Sequence, residues 1–265
     1  MDYSKYSENH LDVVIKDRIA LVTMNRPEKR NAVDGLLHDG LERIFRDLGT
    51  DPDIGAIVLT GAGSAFCSGG DFSPGSDGAQ GGSTLNIMRG PKFLIQGFAN
   101  CEAPLIAAVN GPAVGLGASV ALMCDVIYMA DTAWIGDTHV NIGLVAGDGG
   151  AVIWPLLVGP HRAKEFLMSG KRVYGEEAER IGLVNHVVPA DKLLEEATGF
   201  AKTLAAGPAA AIRWTKMAIN RHVWQSINLV LEMSLSTEGL STHTLDHKEG
   251  VLAFQQKRDP KFTGE

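Results

Sequence analysis

Two kinds of group in this sequence can do chemistry. The first is backbone: Gly111-Pro112-Ala113-Val114-Gly115-Leu116-Gly117-Ala118-Ser119 breaks an apolar run with glycines just before a helical pattern. A strand, a glycine turn and a helix start together aim unpaired N–H groups and a positive helix end at one point, where a negatively charged oxygen can sit. A tight turn that needs small residues for packing reads the same way. The second group is a side-chain pair, His139 and Asp148, nine residues apart. A histidine titrates near neutral pH and can activate water, while a carboxylate fixes its tautomer and stabilises its charged form. The same two residues also suit a packed loop histidine and a helix cap.

The elements that must position these groups are legible as alternating patterns. Leu11 to Lys16 and Arg18 to Met24 read as a hairpin, and Asn31 to Leu48 as a helix capped by Asn31, with an apolar stripe at Val33, Leu37, Leu41, Ile44 and Leu48. Short strands follow at Ala56 to Thr60, Leu105 to Val109 and Val126 to Ala130, and Ala118 to Met123 reads as the helix after the glycine turn. Strands separated by helices and loops argue an α/β fold. Ser73 to Ser83 carries glycines without periodicity and reads as a loop, whereas helical patterns dominate after Ala190: Lys192 to Leu204, Ala209 to Arg221, Trp224 to Leu240 and Leu245 to Lys257.

A second glycine segment, Gly61-Ala62-Gly63-Ser64-Ala65-Phe66-Cys67-Ser68-Gly69-Gly70-Asp71, follows the strand that ends at Thr60. Together with the Pro104 to Gly117 pattern, Asn25-Arg26-Pro27 to Asn31-Ala32, and Gly175-Glu176-Glu177-Ala178-Glu179-Arg180-Ile181-Gly182-Leu183-Val184, it resembles the crotonase (enoyl-CoA hydratase/isomerase) superfamily over residues 11 to 260. The resemblance implies a crotonase-like spiral of ββα turns over residues 1–200, holding an acyl-CoA site, and a helical region over 201–265 that assembles homotrimers or dimers of trimers. No linker separates the two in the sequence. It implies no cofactor beyond the coenzyme A of the substrate. It also implies that the Gly70 and Leu116 N–H groups form an oxyanion hole for the thioester carbonyl, where one well-placed donor supplies roughly 2.7 to 4 kcal/mol.

Hydratases of the superfamily carry a glutamate on the helix after the glycine turn and another twenty positions later; this chain has Ser119 and His139 there. Hydration needs one group to deprotonate water and another to return a proton to the α-carbon. His139 and Asp148 are therefore the expected catalytic residues, with a spacing similar to that of oxocamphor hydrolase, a superfamily member that cleaves a β-diketone carbon–carbon bond. His38 falls where that enzyme also has a histidine, although its place on a helix between Leu37 and Asp39 suits a structural residue as well. Ser68, Ser119 and Trp134 are expected to line the pocket, while Trp134 and Trp154 equally suit the core. No G-x-S-x-G elbow surrounds Ser119, so a serine nucleophile is not favoured. Arg26, Lys29 and Arg30 are expected to meet the nucleotide phosphates of coenzyme A, with Lys257 and Phe262 of the C-terminal segment reaching it too; a solvated charge cluster is the alternative reading.

Composition bounds the partners. At 265 residues and 45% hydrophobic, the chain can bury a substantial core. A net charge of −7, with acidic and basic residues interspersed, argues against nucleic acid. No apolar run approaches the roughly 18 to 20 residues of a membrane span, and a polar N-terminus leads to the expectation of a cytoplasmic protein. Cys67, Cys101 and Cys124 lack metal spacing and suit reduced, buried thiols; the i, i+4 pair His243 and His247 has neither a nearby cysteine nor an HExxH motif, so no metal is expected. Three functions stay open: an acyl-CoA enzyme of hydratase/isomerase type with atypical acid/base residues, a hydrolase of a CoA thioester or β-diketone using the His–Asp pair, and a non-catalytic acyl-CoA-binding subunit.

Overall fold

The computed structural model describes residues 2–73 and 84–265. Most of the loop expected over Ser73 to Ser83 lies outside the described residues. The chain opens with β1 (Leu11–Lys16) and β2 (Ile19–Met24), an antiparallel hairpin turned by Asp17 and Arg18, both in the left-handed region. Parallel strands β3 (Ala56–Gly61), β4 (Leu105–Val109), β6 (Val126–Ala130) and β9 (His186–Val188) extend it into one sheet of order β1-β2-β3-β4-β6-β9. Every residue of β4 is buried, which is why its sequence is a continuous Leu-Ile-Ala-Ala-Val run rather than an alternating one. A smaller sheet, β5 (Ala113–Val114), β7 (Trp134–Gly136) and β8 (Val173–Tyr174), branches from the crossovers between the large-sheet strands. It carries the glycine turn on one strand and leads into His139 from the next.

Helix α1 (Gly35–Thr50) starts later than the sequence pattern suggests. Asp34, not Asn31, caps it by accepting from the Leu37 N–H at 2.9 Å. Asn31 instead adopts φ 55° and turns its amide inward, where it accepts from Arg26 N at 2.9 Å and donates to the carbonyls of Ala62, Ala65 and Phe66. One side chain thereby fastens the Asn25–Ala32 loop to the glycine loop after β3. Helix α2 (Thr84–Asn100), which the sequence reading leaves unassigned, contains Pro91 and packs against α1.

Helix α3 (Leu116–Leu122) is buried throughout and follows the glycine turn directly. After β7 comes a single 3₁₀ turn (His139–Ile142), then α4 (Gly150–Ser169), which breaks at Gly159 with φ 77° before Pro160. α5 (Gly175–Arg180) and α6 (Leu193–Ala205) complete the spiral. α7 (Ala209–Ser226) continues through a π turn into α8 (Glu232–Ser241), and α9 (Leu245–Gln256) closes the chain. Two cations, half-buried Arg213 and buried Lys216, pin α7 to the core. Arg213 donates to the carbonyls of Gly49, Asp51 and Ile54 at the end of α1, and Lys216 sits 2.7 Å from Asp125 and donates to Ala103 O at 2.8 Å. Along the C-terminal helices Trp214, Leu229, Met233, Leu240 and Phe254 are exposed. Among the described residues, no helix is long and apolar enough to cross a membrane.

Candidate active site

The two glycine loops meet backbone to backbone. Phe66 N and Cys67 N both donate to Pro112 O at 3.1 Å, and Val114 N returns a bond to Cys67 O at 2.9 Å. Val33 binds the far side of the first loop, donating to Gly69 O at 2.8 Å and accepting from Asp71 N at 3.0 Å. The approach leaves no room for side chains: a Cβ on Gly117 would lie 2.3 Å from Cys67 O, and one on Gly69, where φ is 89°, would lie 2.8 Å from Val114 O. Among the described residues, neither the Gly70 N–H nor the Leu116 N–H has a hydrogen-bond acceptor. The loops therefore hold both amides on rigid backbone, with their donor capacity unused by the described residues.

Beside this cradle lies a chain of side-chain contacts. His139 Nδ1 is 2.6 Å from Asp137 Oδ1, and its Nε2 is 3.2 Å from Asp148 Oδ2. Ser119 Oγ, reaching from α3, donates to Asp148 Oδ1 at 3.3 Å. All four residues are buried, and the imidazole abuts Gly115, where a Cβ would lie 3.3 Å from its Cε1. Burial works against charge on the imidazole, but Asp148 and then Asp137 outweigh it and hold its pKa well above the ordinary histidine value. The ring is thus an imidazolium clasped between two carboxylates, and Asp148 is the member that also faces Ser119. The sequence reading joins His139 to Asp148 and passes over Asp137, which makes the shorter contact and stands only two residues before the histidine.

The structure adds a further acid that the sequence reading misses. Glu238 on α8 is half-buried, yet its Oε2 is sealed and has no hydrogen-bond partner among the described residues. It stands over Gly147, where a Cβ would lie 2.5 Å from that oxygen. Burial pushes its carboxyl up to about 8, with Asp148 and Asp137 adding to the shift and His139 opposing it. The signal in the sequence is Ser234, Glu238 and Ser241, polar residues at helical spacing in a chain segment rich in leucine and methionine. The ligand atoms of Asp137, His139 and Asp148 lie within 4.8 Å of one another, the spacing of a metal site, but here the imidazolium supplies the positive charge between them.

The remaining sequence candidates are dispersed. His38 pairs with Glu42 at 3.0 Å and abuts Gly90 between α1 and α2, with no hydrogen bond to the His139 chain. Ser68 donates to Lys29 O at 3.3 Å. Trp134 lies under the Arg172 guanidinium, 4.4 Å from its ring centroid, and near Tyr174 on β8. Trp154 is fully buried against Phe166. Arg26 corrects the phosphate expectation: it is buried, 3.3 Å from Asp34 and 3.2 Å from Asp71, and donates to Ala32 O, so its guanidinium is spent inside the fold. Lys29 and Arg30 stay exposed, as do Lys257 and Phe262. The C-terminal segment folds back on α9, with Arg258 paired to Glu249 and Asp246 receiving Thr263 N and Gly264 N. The cysteines are buried; burial pushes Cys67 up to about 12 and Cys101 up to about 11, which leaves no thiolate for chemistry near the site.

The sequence pattern of the enoyl-CoA hydratase/isomerase family matches residues 14–265. A probable enoyl-CoA hydratase of Mycobacterium bovis is 36% identical over 249 residues, covering 93% of this chain and 95% of its own. Among solved structures, an enoyl-CoA hydratase/isomerase from Mycobacterium paratuberculosis superposes with a TM-score of 0.86 at 38% identity, covering 92% of this chain and 98% of that one. A carnitinyl-CoA hydratase from Mycobacterium avium superposes with a TM-score of 0.83 at 28% identity, over 97% and 99% of the two chains.

Proposed function

Because the chain belongs to the enoyl-CoA hydratase/isomerase family, we propose that it is an enzyme acting on an acyl-CoA thioester whose carbonyl oxygen sits between the Gly70 and Leu116 N–H groups. The observation that carries this reading is the pair of acceptor-less amides fixed by contacting loops beside the Asp137–His139–Asp148 chain. Amides held in place before reaction stabilise an oxygen as it gains enolate charge, with no reorganisation needed at the time. Asp148 is then the proton acceptor and donor at the α-carbon or at water. His139, kept charged, lowers the cost of placing that carboxylate in a buried site, and Asp137 fixes the ring. Ser119 hydrogen-bonds to Asp148 rather than to His139, so it fits a pocket wall and not a nucleophile.

Lys29 and Arg30 are the exposed cations suited to coenzyme A phosphates, with Lys257 and Phe262 available from the C-terminal segment. The exposed apolar residues of α7 to α9 support assembly through residues 201–265 as a homotrimer or dimer of trimers, which light scattering measures directly. We place the protein in the cytoplasm, consistent with three buried free thiols.

The decisive experiment incubates the protein with butyryl-CoA and crotonyl-CoA in deuterated water. Exchange of the α-proton, seen by NMR, reports enolate formation, and loss of crotonyl absorbance reports hydration. Asp148→Asn should abolish both while calorimetry still shows acyl-CoA binding. A hydrolytic outcome, favoured by the same His139–Asp148 contact, would appear as free thiol from the thioester or as cleavage of a β-diketone. Absence of acyl-CoA binding would overturn the substrate class.

A further inference from the structure

The segment that carries Asp148 is held from outside the spiral core. Ser234 Oγ donates to Gly147 O at 2.9 Å, and Val145 N donates to Ser241 Oγ at 3.2 Å. These two serines stand one turn before and one turn after Glu238 on the same face of α8, so a polar stripe grips residues 145–147, and the glutamate lies at its centre. Gly147 permits the contact, since any Cβ there would strike both the Ser234 carbonyl and the Glu238 carboxyl at 2.5 Å. The stripe is therefore shaped to the loop.

The charge count around it does not close with ordinary ionisation. Asp137, Asp148 and Glu238 act on one another electrostatically, and a single imidazolium, His139, stands among them. These are the groups that face Glu238 from the 137–148 segment; α2, which also packs against α8, sends Lys92 to Glu232 instead. Two buried carboxylates, Asp137 and Asp148, and a third on Glu238 with one sealed oxygen, set against one cation, leave an excess of negative charge that the interior disfavours. Two sealed carboxylate oxygens of the cluster lack a partner among the described residues, Asp137 Oδ2 and Glu238 Oε2. Asp137 is paired through its other oxygen with His139 at 2.6 Å whereas Glu238 makes no such pair, so Glu238 is the place where a proton removes that excess.

We propose that Glu238 carries a proton in the working protein and, as a positioning residue acting through Asp148, sets the alkaline limit of the site's chemistry. Neutral Glu238 fills the space over Gly147 without repelling Asp148, so the Asp148 carboxylate keeps its contacts with His139 and Ser119. Once Glu238 ionises, a second anion faces the Asp148 carboxylate and the repulsion pushes it away from His139 and Ser119, which takes the proton acceptor out of position. This inference rests on the reading of Asp148 given above, and its test is built to separate the two.

The experiment compares wild type, Glu238→Gln and Glu238→Ala as full-length proteins, by infrared difference spectroscopy across pH and by the pH dependence of crotonyl-CoA turnover. Wild type should show the carbonyl stretch of a protonated carboxylic acid at neutral pH, lost on alkalinisation around the value of about 8 to which burial and Asp148 push this group. Glu238→Gln should lack that band, and its kcat should fall at a pH about one unit or more higher than in wild type. Glu238→Ala, which empties the space over Gly147, should lower kcat at neutral pH about tenfold more than Glu238→Gln does, with KM little changed. An infrared band that persists in Glu238→Gln, or an alkaline limb identical in the two proteins, overturns the proposal. The band needs no substrate, so failure of crotonyl-CoA turnover would count against the acyl-CoA reading while leaving the location of the proton decided.

Discussion

Replacing His139 with leucine removes the imidazolium and leaves Asp137 and Asp148 facing each other across an apolar side chain. Both contacts, 2.6 Å and 3.2 Å, are lost in a site where the three residues are nearly inaccessible to water. Breaking a buried charge pair by removing one partner costs about 3–5 kcal/mol, because the other partner is left uncompensated. At about 2–4 °C per kcal/mol for a chain of this size, the melting temperature should fall by about 6–20 °C near pH 6. The pH dependence has a definite sign. His139 has its folded pKa raised well above 6.5, so its contribution is complete below about pH 6.5 and fades as pH rises through the folded value. The gap between wild type and variant should therefore narrow on going from pH 6 to pH 9, by no more than about 1.4 kcal/mol per pH unit. Differential scanning calorimetry at one fixed protein concentration measures this, the fixed concentration removing any contribution from subunit association. A gap under about 1 kcal/mol at pH 6, or one that does not change with pH, would refute the view of His139 as an imidazolium held by two carboxylates.

Lys216→Met should destabilise by about 1–3 kcal/mol, chiefly because the buried Ala103 carbonyl loses its donor, while Asp125 keeps its contact with water; a denaturation cycle with Asp125→Asn should show only a small coupling between the two. Gly117→Ala should force the glycine loops apart, costing about 1–3 kcal/mol in stability and lowering enolate exchange far more than it weakens acyl-CoA binding. Arg26→Met should lower the melting temperature and leave the salt dependence of acyl-CoA affinity intact, whereas Lys29→Ala with Arg30→Ala should weaken binding and flatten that dependence in calorimetric titrations. The reverse pattern would return Arg26 to the phosphate site.

The strands were legible because burial wrote itself into them: Ala56 to Thr60, Leu105 to Val109 and Val126 to Ala130 are apolar runs, and each is a strand within one residue of its expected bounds. The start of α1 was not, because Asn31 and Asp34 are both good caps and only the glycine loop arriving from β3 decides which amide is needed elsewhere. Pro91 and its neighbouring glycine masked α2. In the candidate site, His139 and Asp148 could be paired through the family resemblance, whereas Asp137 and Glu238 matter through contacts that linear order conceals. Glu238 comes from a helix far along the chain, and Arg26 looked like part of a solvated basic run because Asp34 and Asp71 reach it only after folding.

The loops that fix the Gly70 and Leu116 amides are secured by backbone carbonyls, by glycines and by Asn31. The side chains that confront them come from elsewhere: Ser119 from the second turn of α3, His139 from the turn after β7, Asp148 from the loop before α4 and Glu238 from α8. Substitutions at these four positions can alter the proton inventory without dislodging the amides. If the two amides hold a carbonyl oxygen as proposed, a lineage built on this scaffold exchanges one reaction for another by changing these side chains in a balanced order, since removing His139 alone leaves two buried carboxylates facing each other.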